Sequence, residues 1–327
     1  MKLSLYDKNL KRIGVIESRY VSCMWSEGYN STQPFTLELQ ESDEFKKKTQ
    51  PDCYVGRDDR RTMMVIKTVK TKDGRIVASG KQAARCLDDV AFEGTIQADS
   101  NIPKSIKAAY DGSEGYENFT FADSNLDVTY GHQISNKSIL LLLETMCQDT
   151  DTGFRVVRTK ERTLSVEFYR PEINYKLKLA ECYGNMKVDE VTLSTENKKN
   201  YAIVLGEGEG DARFRVYVDL SSGEQKRAMF VDARDILREE GETDDSYSAR
   251  LYARGAEELL LKQGTWECAL TPLSAEFGTR YDLGDIVTVL LPDYGMKLQS
   301  RIQRFTQQSQ NNRIDTIVEV GNITITR

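Results

Sequence analysis

Alternation of apolar and polar residues dominates the first eighty positions. Leu3 and Leu5, then Ile13 and Val15, stand at every second position on either side of Asp7-Lys8-Asn9, which predicts two short strands joined by a polar turn. The same period predicts strands over Tyr20–Trp25, Phe35–Leu39, Met63–Val69 and Ile76–Ser79. The last two are joined by Lys72-Asp73-Gly74, an Asp-Gly turn that tolerates positive φ. Gly80–Leu87 then predicts a short helix that closes this unit.

The period changes in the middle of the chain. Ile102–Tyr110 and Ser135–Gln148 carry apolar residues at three- and four-residue spacing, which predicts helices. Ser135 is the expected N-cap of the second, whose stripe of Ile139, Leu142, Leu143 and Met146 suits a core or a partner. Phe154–Arg158 and Leu164–Phe168 return to strands around a charged turn. From Val191 onward, strands at Tyr201–Leu205, Phe214–Leu220 and Ala228–Val231 precede a helix from about Asp244 to Gln263. Thr243 caps it, Asp244 and Asp245 supply negative charge, Tyr247, Leu251 and Leu259 form its buried row, and Gly264 stands where a left-handed residue ends it. Strands at Trp266–Leu270, Ile286–Leu291, Leu298–Thr306 and Arg313–Val320 follow.

This pattern divides the chain into a first β-barrel unit at 1–95, an inserted mixed helix and strand region at 96–190, and a second β-barrel unit with one helix at 191–327. Each flanking unit sets a glycine-polar turn before paired strands, Gly56-Arg57-Asp58 in the first and Gly284-Asp285 in the last. A duplicated barrel would do this, and so would any meander of hairpins.

Charge narrows the function classes. With 45 basic and 51 acidic residues among 327, the net charge of -6 gives no basic footprint for nucleic acid and no polybasic membrane anchor. The longest strongly apolar run, Ile139–Leu143, falls far short of the roughly 18 residues of a membrane span. Lys2, Asp7 and Lys8 interrupt any signal-like core at the start. The cysteines 23, 53, 86, 147, 182 and 268 contain no Cys-x-x-Cys pair, so reduced and mostly buried thiols are expected.

Candidate chemistry is sparse. Gly206-Glu207-Gly208-Glu209-Gly210 follows an apolar strand as a phosphate loop would, but another strand, and no helix, comes next. Glu207 and Glu209 would also repel phosphate, so the segment reads as a hairpin. His132 is the single histidine, which leaves no histidine metal cluster. Acidic pairs such as Asp58-Asp59, Asp88-Asp89, Glu239-Glu240 and Asp244-Asp245 could serve a glycosidase only if two converge in a cleft. Trp25 and Trp266 read as core. No catalytic, cofactor or metal residue is assigned.

Several blocks, in order, resemble the Gp37-like siphovirus tail family, which is related to the baseplate hubs of contractile phages, defective prophages and bacteriocins. They are Leu3-Ser4-Leu5-Tyr6-Asp7 through Arg12-Ile13-Gly14-Val15-Ile16, Ser22–Trp25, Phe35–Leu39, Asn200–Gly206, Phe230–Asp235, Tyr252–Leu259 and Tyr281–Val289. The resemblance implies a mainly β fold with an inserted α+β region and two tube-type β-barrels. It further implies a homotrimeric hub in the tail of a phage or phage-tail-like particle, adapting the tail tube to the tip spike without catalysis. Implied partners are other copies of the chain, a tail tube or tube initiator protein, a spike or tip protein, a LysM-type tail protein and the tape measure. The alternatives are a tail-associated peptidoglycan hydrolase and a carbohydrate-binding receptor module. Expected assembly contacts are Met63, Val65, Ile286, Val287 and Val289 on strands, with Glu207, Gly208 and Glu209 in a projecting loop.

Overall fold

The computed structural model describes residues 1–17, 19–116, 118–262, 265–272, 276–310 and 313–321, with backbone alone for 193 and 265–270. The chain divides into two compact units, 1–187 with 271–321 and 188–270. It crosses between them near 187 and 270, where the sequence division expected boundaries at 95 and 190. The fold is mainly β, as the residue pattern and the resemblance imply.

Unit 1 opens with β1 (Leu3–Tyr6), β2 (Arg12–Val15), β3 (Tyr20–Gly28), β4 (Pro34–Gln40), helix α1 (Asp43–Lys48), β5 (Tyr54–Arg57), β6 (Met63–Lys72) and β7 (Arg75–Gln82). It continues through β8 (Ala91–Ile96), β9 (Ser100–Asn101), α2 (Ile102–Asp111), β10 (Phe119–Phe121), β11 (Thr129–Tyr130), β12 (Ile134–Ser138), α3 (Ile139–Asp149), β13 (Gly153–Arg158), β14 (Leu164–Tyr169) and β15 (Ile173–Leu179). Strand β16 (Met186–Ser194) leads into unit 2, which holds β17 (Tyr201–Leu205), β18 (Arg215–Asp219), β19 (Ala228–Asp232) and α4 (Asp244–Leu260). Strand β20 (Thr265–Pro272) leads back to β21 (Ile286–Leu291), β22 (Met296–Gln310) and β23 (Arg313–Val320).

Among the described residues, one 11-stranded sheet runs in the order β15-β21-β22-β3-β4-β7-β6-β5-β1-β2, with β23 also on β22. The first and last parts of the chain therefore share hydrogen bonds: β22 pairs β3 from Arg304↔Gly28 to Gln310↔Ser22. One face of this sheet gathers Leu3, Leu5, Trp25, Phe35, Leu37, Val55, Met64, Ile66, Ile76 and Ala78 into a common core. Side chains from six strands meet there, so the sheet is strongly curled. Trp25 is fully buried, meets Phe35 edge-on and donates its indole N–H to Glu27 Oε1 at 2.8 Å.

The other face is covered by the 83–89 turn, α2, α3, β13 and β14. Tyr54, Met63 and Val65 pack there with Ile106, Ile139, Leu142, Leu143 and Met146. Met63-Met64-Val65-Ile66 thus alternates between two cores, because successive strand side chains point to opposite faces.

Several sequence expectations change on inspection. Helix α3 is capped by Ser138, whose hydroxyl accepts from Leu141 N, because residues 134–138 pair with β8 and Ser135 lies inside that ladder. Residues 80–82 finish β7, and 83–89 form a 3₁₀ turn in place of an α-helix. Gly56-Arg57 belongs to β5, buried on both sides, and the turn follows it. Lys46, Lys47 and Lys48 end α1, where positive charge faces the negative helix terminus. Gly264 lies outside the described residues, as do the side chains of Trp266 and Cys268.

Unit 2 holds a three-stranded sheet, β18-β17-β19, with α4 on one face, and most of the two-stranded β16-β20 sheet. Thr243 caps α4 by accepting from Ser246 N, as expected. Its buried row of Tyr247, Leu251, Gly255 and Leu259 packs on Ala202, Val204 and Val218. Gly255 permits this closeness: a Cβ there would stand 2.5 Å from Val204 and 2.8 Å from Val218.

Candidate functional site

The expected strand contacts lie inside unit 1. Met63 and Val65 are buried against the helical layer, and β6 is hydrogen-bonded on both edges, to β5 and β7. Val287 and Val289 are buried, Ile286 is half-buried, and β21 lies between β15 and β22. The long apolar runs that drew attention to these strands are accounted for by two covered faces. The open edges of the sheet, among the described residues, are β2, β15 and β23. Of these, β15 exposes Ile173 and Tyr175, and β23 exposes Ile314 and Ile317.

The Glu207–Glu209 segment is an exposed hairpin between β17 and β18, as read from the sequence, but its root is tied down. Glu207 N donates to the Tyr247 hydroxyl at 2.8 Å, and the Glu207 carboxylate accepts from Arg238 N at 3.2 Å. Gly208 has φ +110, and a Cβ on it would meet Ala212 O at 2.8 Å, so glycine is required there. Arg213 is buried beneath the hairpin and donates to the carbonyls of Gly206 and Leu205 and to Asp232 Oδ1. Glu209 is exposed at the tip of the hairpin.

A cavity of about 520 Å³ in unit 1 is lined by Glu27, Asp59, Arg60, Arg61, Arg155 and Asp282 among others. Several of its charges are paired within the chain. Glu27 receives the Trp25 N–H and faces Arg60 at 3.6 Å, while Arg60 lies over Phe305 and Phe277. Glu167 bridges Arg61 and Arg155, and Asp59 holds the buried Arg57. Such pairing offsets the cost of burying Glu27 and Arg57.

The Leu283-Gly284-Asp285 block acts as a clasp. Asp285 accepts from Glu172 N and from Asp282 N, each at 2.8 Å, joining the entry of β15 to that of β21. Burial raises its pKa above the ordinary carboxylate value. Burial likewise pushes the Cys23 thiol up to about 12 and raises that of Cys147, so these thiols are unreactive packing groups. His132 lies edge-on to Tyr130, and no metal-binding group of acidic, cysteine or histidine side chains occurs among the described residues.

One feature escaped sequence reading. The face of the unit 2 sheet opposite α4 carries Tyr201, Ile203 and Leu205 on β17, Tyr217 on β18 and Phe230 on β19, with Tyr217 55% and Phe230 71% exposed. Ile203 stands between Tyr217 and Phe230 in the ladder. Unbroken apolarity over 201–205 was the available signal, since a strand covered on one face alternates with polar residues.

Residues 116–322 match the family model described as Siphovirus ReqiPepy6 Gp37-like protein. No curated protein matches by sequence. Among solved structures, the fold is similar to the prophage tail protein gp18 of Listeria monocytogenes, with TM-score 0.56 and 10% identity over 99% of this chain and 95% of that one. It is also similar to the 43 kDa tail protein of prophage MuSo2 from Shewanella oneidensis, with TM-score 0.57 and 12% identity over 98% of each chain. A chain of the phage P2 baseplate in its activated conformation gives TM-score 0.50 and 10% identity over 98% of each.

Proposed function

The chain belongs to the Siphovirus ReqiPepy6 Gp37-like family, and from that premise we propose that it is a structural hub of the tail baseplate, three copies of which form a ring joining tail tube to tip spike. Its place is the tail of the particle. The observation that carries this reading is whole-chain likeness to two prophage tail proteins and a baseplate chain, none of them matched over a fragment only. The curled sheet around Trp25 would supply one tube-type barrel and β15 with β21–β23 the second, giving six related positions per trimer. Open edges at β2, β15 and β23 support ring assembly, because an edge strand is a template for pairing with another chain.

In this reading the ring meets the tail tube or tube initiator above and the spike below, with a LysM-type protein and the tape measure as further neighbours. Gly208 and Glu209, at the exposed tip of the β17–β18 hairpin, are proposed contacts along the tail axis. The role is adaptor rather than enzyme. Electron microscopy of intact particles tests the proposal: three copies on the tail axis are expected, and an off-axis position or another copy number overturns it. A muropeptide release assay on the purified chain is expected to give no product; cleavage abolished by one Asp or Glu substitution would instead favour a hydrolase.

A further inference from the structure

Arg60 lines the unit 1 cavity with its hydrogen-bonding capacity unspent. Its side chain is only 20% exposed, and its guanidinium lies 4.2 Å from the ring centre of Phe305 and 4.9 Å from that of Phe277. Glu27 stands 3.6 Å away, beyond hydrogen-bond range, with its other oxygen taken by the Trp25 indole. Among the described residues no acceptor meets the N–H groups of Arg60. Two residues along, the Thr62 hydroxyl oxygen is buried on the same cavity wall without a partner. Both groups are held in place. Arg158 N donates to Arg61 O at 2.9 Å, Thr62 bridges Val157, and the stacked Phe277 and Phe305 rings support the guanidinium.

We propose that this cavity binds one carboxylate carried on a compact apolar body, received by the Arg60 fork and the Thr62 hydroxyl. Unpartnered donors at a cavity wall are costly unless a ligand meets them, and a guanidinium matches the two oxygens of a carboxylate. Charge selects a monoanion. The other two arginines of the lining, Arg61 and Arg155, are both committed to Glu167, so one cation remains. A dianionic phosphate would have that single arginine to hold it and the carboxylates of Glu27, Asp59 and Asp282 to repel it.

The remainder of the wall sets the body of the ligand. Val157, Tyr169, Phe277 and Leu283 supply apolar surface, and the Tyr169 hydroxyl is spent on Leu283 O at 3.0 Å. A volume of about 520 Å³ lies in the range of small-ligand sites, roughly 300–1,000 Å³. A free acid or the end of a neighbouring chain offers the same chemistry. The site does not depend on the ring arrangement.

The probe is N-acetyl-L-phenylalanine, titrated by calorimetry into the purified full chain, with its amide and inorganic phosphate as controls. The acid should bind, the amide at least about tenfold more weakly, and phosphate not at all. Arg60→Lys keeps the charge beside Glu27 but removes the fork, so it should weaken the acid about tenfold with the thermal midpoint unchanged. Should that variant fail to fold, phenylglyoxal footprinting of the native chain decides: the acid should slow modification of Arg60 and the amide should not. The same footprint on assembled particles separates the sources. Protection of Arg60 without added acid assigns the carboxylate to a neighbouring chain, and protection only on addition assigns it to a free acid. Equal binding of acid and amide, binding of phosphate, undiminished binding in folded Arg60→Lys, or no binding and no protection overturns the proposal.

Discussion

Strands β6 and β17 are both written as unbroken apolar runs, Met63-Met64-Val65-Ile66 and Tyr201-Ala202-Ile203-Val204-Leu205, and they end in different surroundings. In unit 1 the run is spent on two cores of the same chain, Met64 and Ile66 inward and Met63 and Val65 under the helices. In unit 2 only Ala202 and Val204 find such a core, and Tyr201, Ile203 and Leu205 face outward. A continuous apolar strand implies two covered faces. Among the described residues only one of the two faces of β17 is covered by a packed helix, and aromatic side chains stand exposed on the other.

The sharpest way to break this comparison is to truncate one aromatic on each side of it. Trp25→Ala empties the centre of unit 1 and leaves Glu27 without its indole donor, so it should destabilise by about 3–5 kcal/mol in denaturant unfolding. Phe230→Ala should stay within about 0.5 kcal/mol, since its ring is mostly in solvent. Equal losses would mean that the Phe230 ring is not mostly in solvent.

Gly255→Ala probes the covered face of the unit 2 sheet. In an exposed helix this change normally stabilises, yet here the new Cβ meets Val204 and Val218, so a loss of about 1–3 kcal/mol is expected in thermal unfolding. A gain would show that α4 can lift from the sheet without cost.

Smaller effects separate the root of the β17–β18 hairpin from its tip. Glu207→Lys removes the acceptor for Arg238 N and should cost about 1 kcal/mol, whereas Glu209→Lys should leave the isolated chain within about 0.5 kcal/mol. If both are neutral in stability measurements, the root is not anchored as described.

The last effect is one of pH. Asp219 accepts from Lys226 at 2.7 Å and from the Ser221 hydroxyl and N–H, which lower its pKa from an ordinary 3.8 to about 2. Its folded form holds the proton less tightly than the unfolded chain does, so its contribution is present above about pH 4 and is lost as pH falls toward 2. Acid titration of the folded fraction should be shallower in Asp219→Asn, and an unchanged profile would remove Asp219 from the account.

Much of the strand framework was legible because period-two alternation and Asp-Gly turns are local signals. The cap of α3 was misplaced from Ser138 to Ser135 because β8, its pairing partner, carries Glu93 and Gly94 where alternation should be strongest. Strand β5 was missed because Tyr54-Val55-Gly56-Arg57 is short and ends in turn-like residues, while its burial comes from distant neighbours. The candidate contacts suffered from the same limit. An apolar run announces covered faces, but only the three-dimensional structure reveals whether the cover belongs to the chain. That distinction separated Met63 and Val65, which are internal, from Phe230, which no local pattern singled out.

The pairing of β22 with β3 sets the order in which the molecule can be made. Tyr20 reaches Ser309 across 289 residues, so the central sheet cannot be completed until nearly the whole chain has left the ribosome. The described part of unit 2, by contrast, is a continuous stretch, 188–270, whose strands and helix lie close in sequence, and it can form first. During synthesis the early strands β1–β7 therefore wait with an unfilled edge at β3, and release of the C-terminal strands completes the sheet. A chain cut short before β22 would keep that edge exposed, so synthesis through β22 is the condition for a completed sheet.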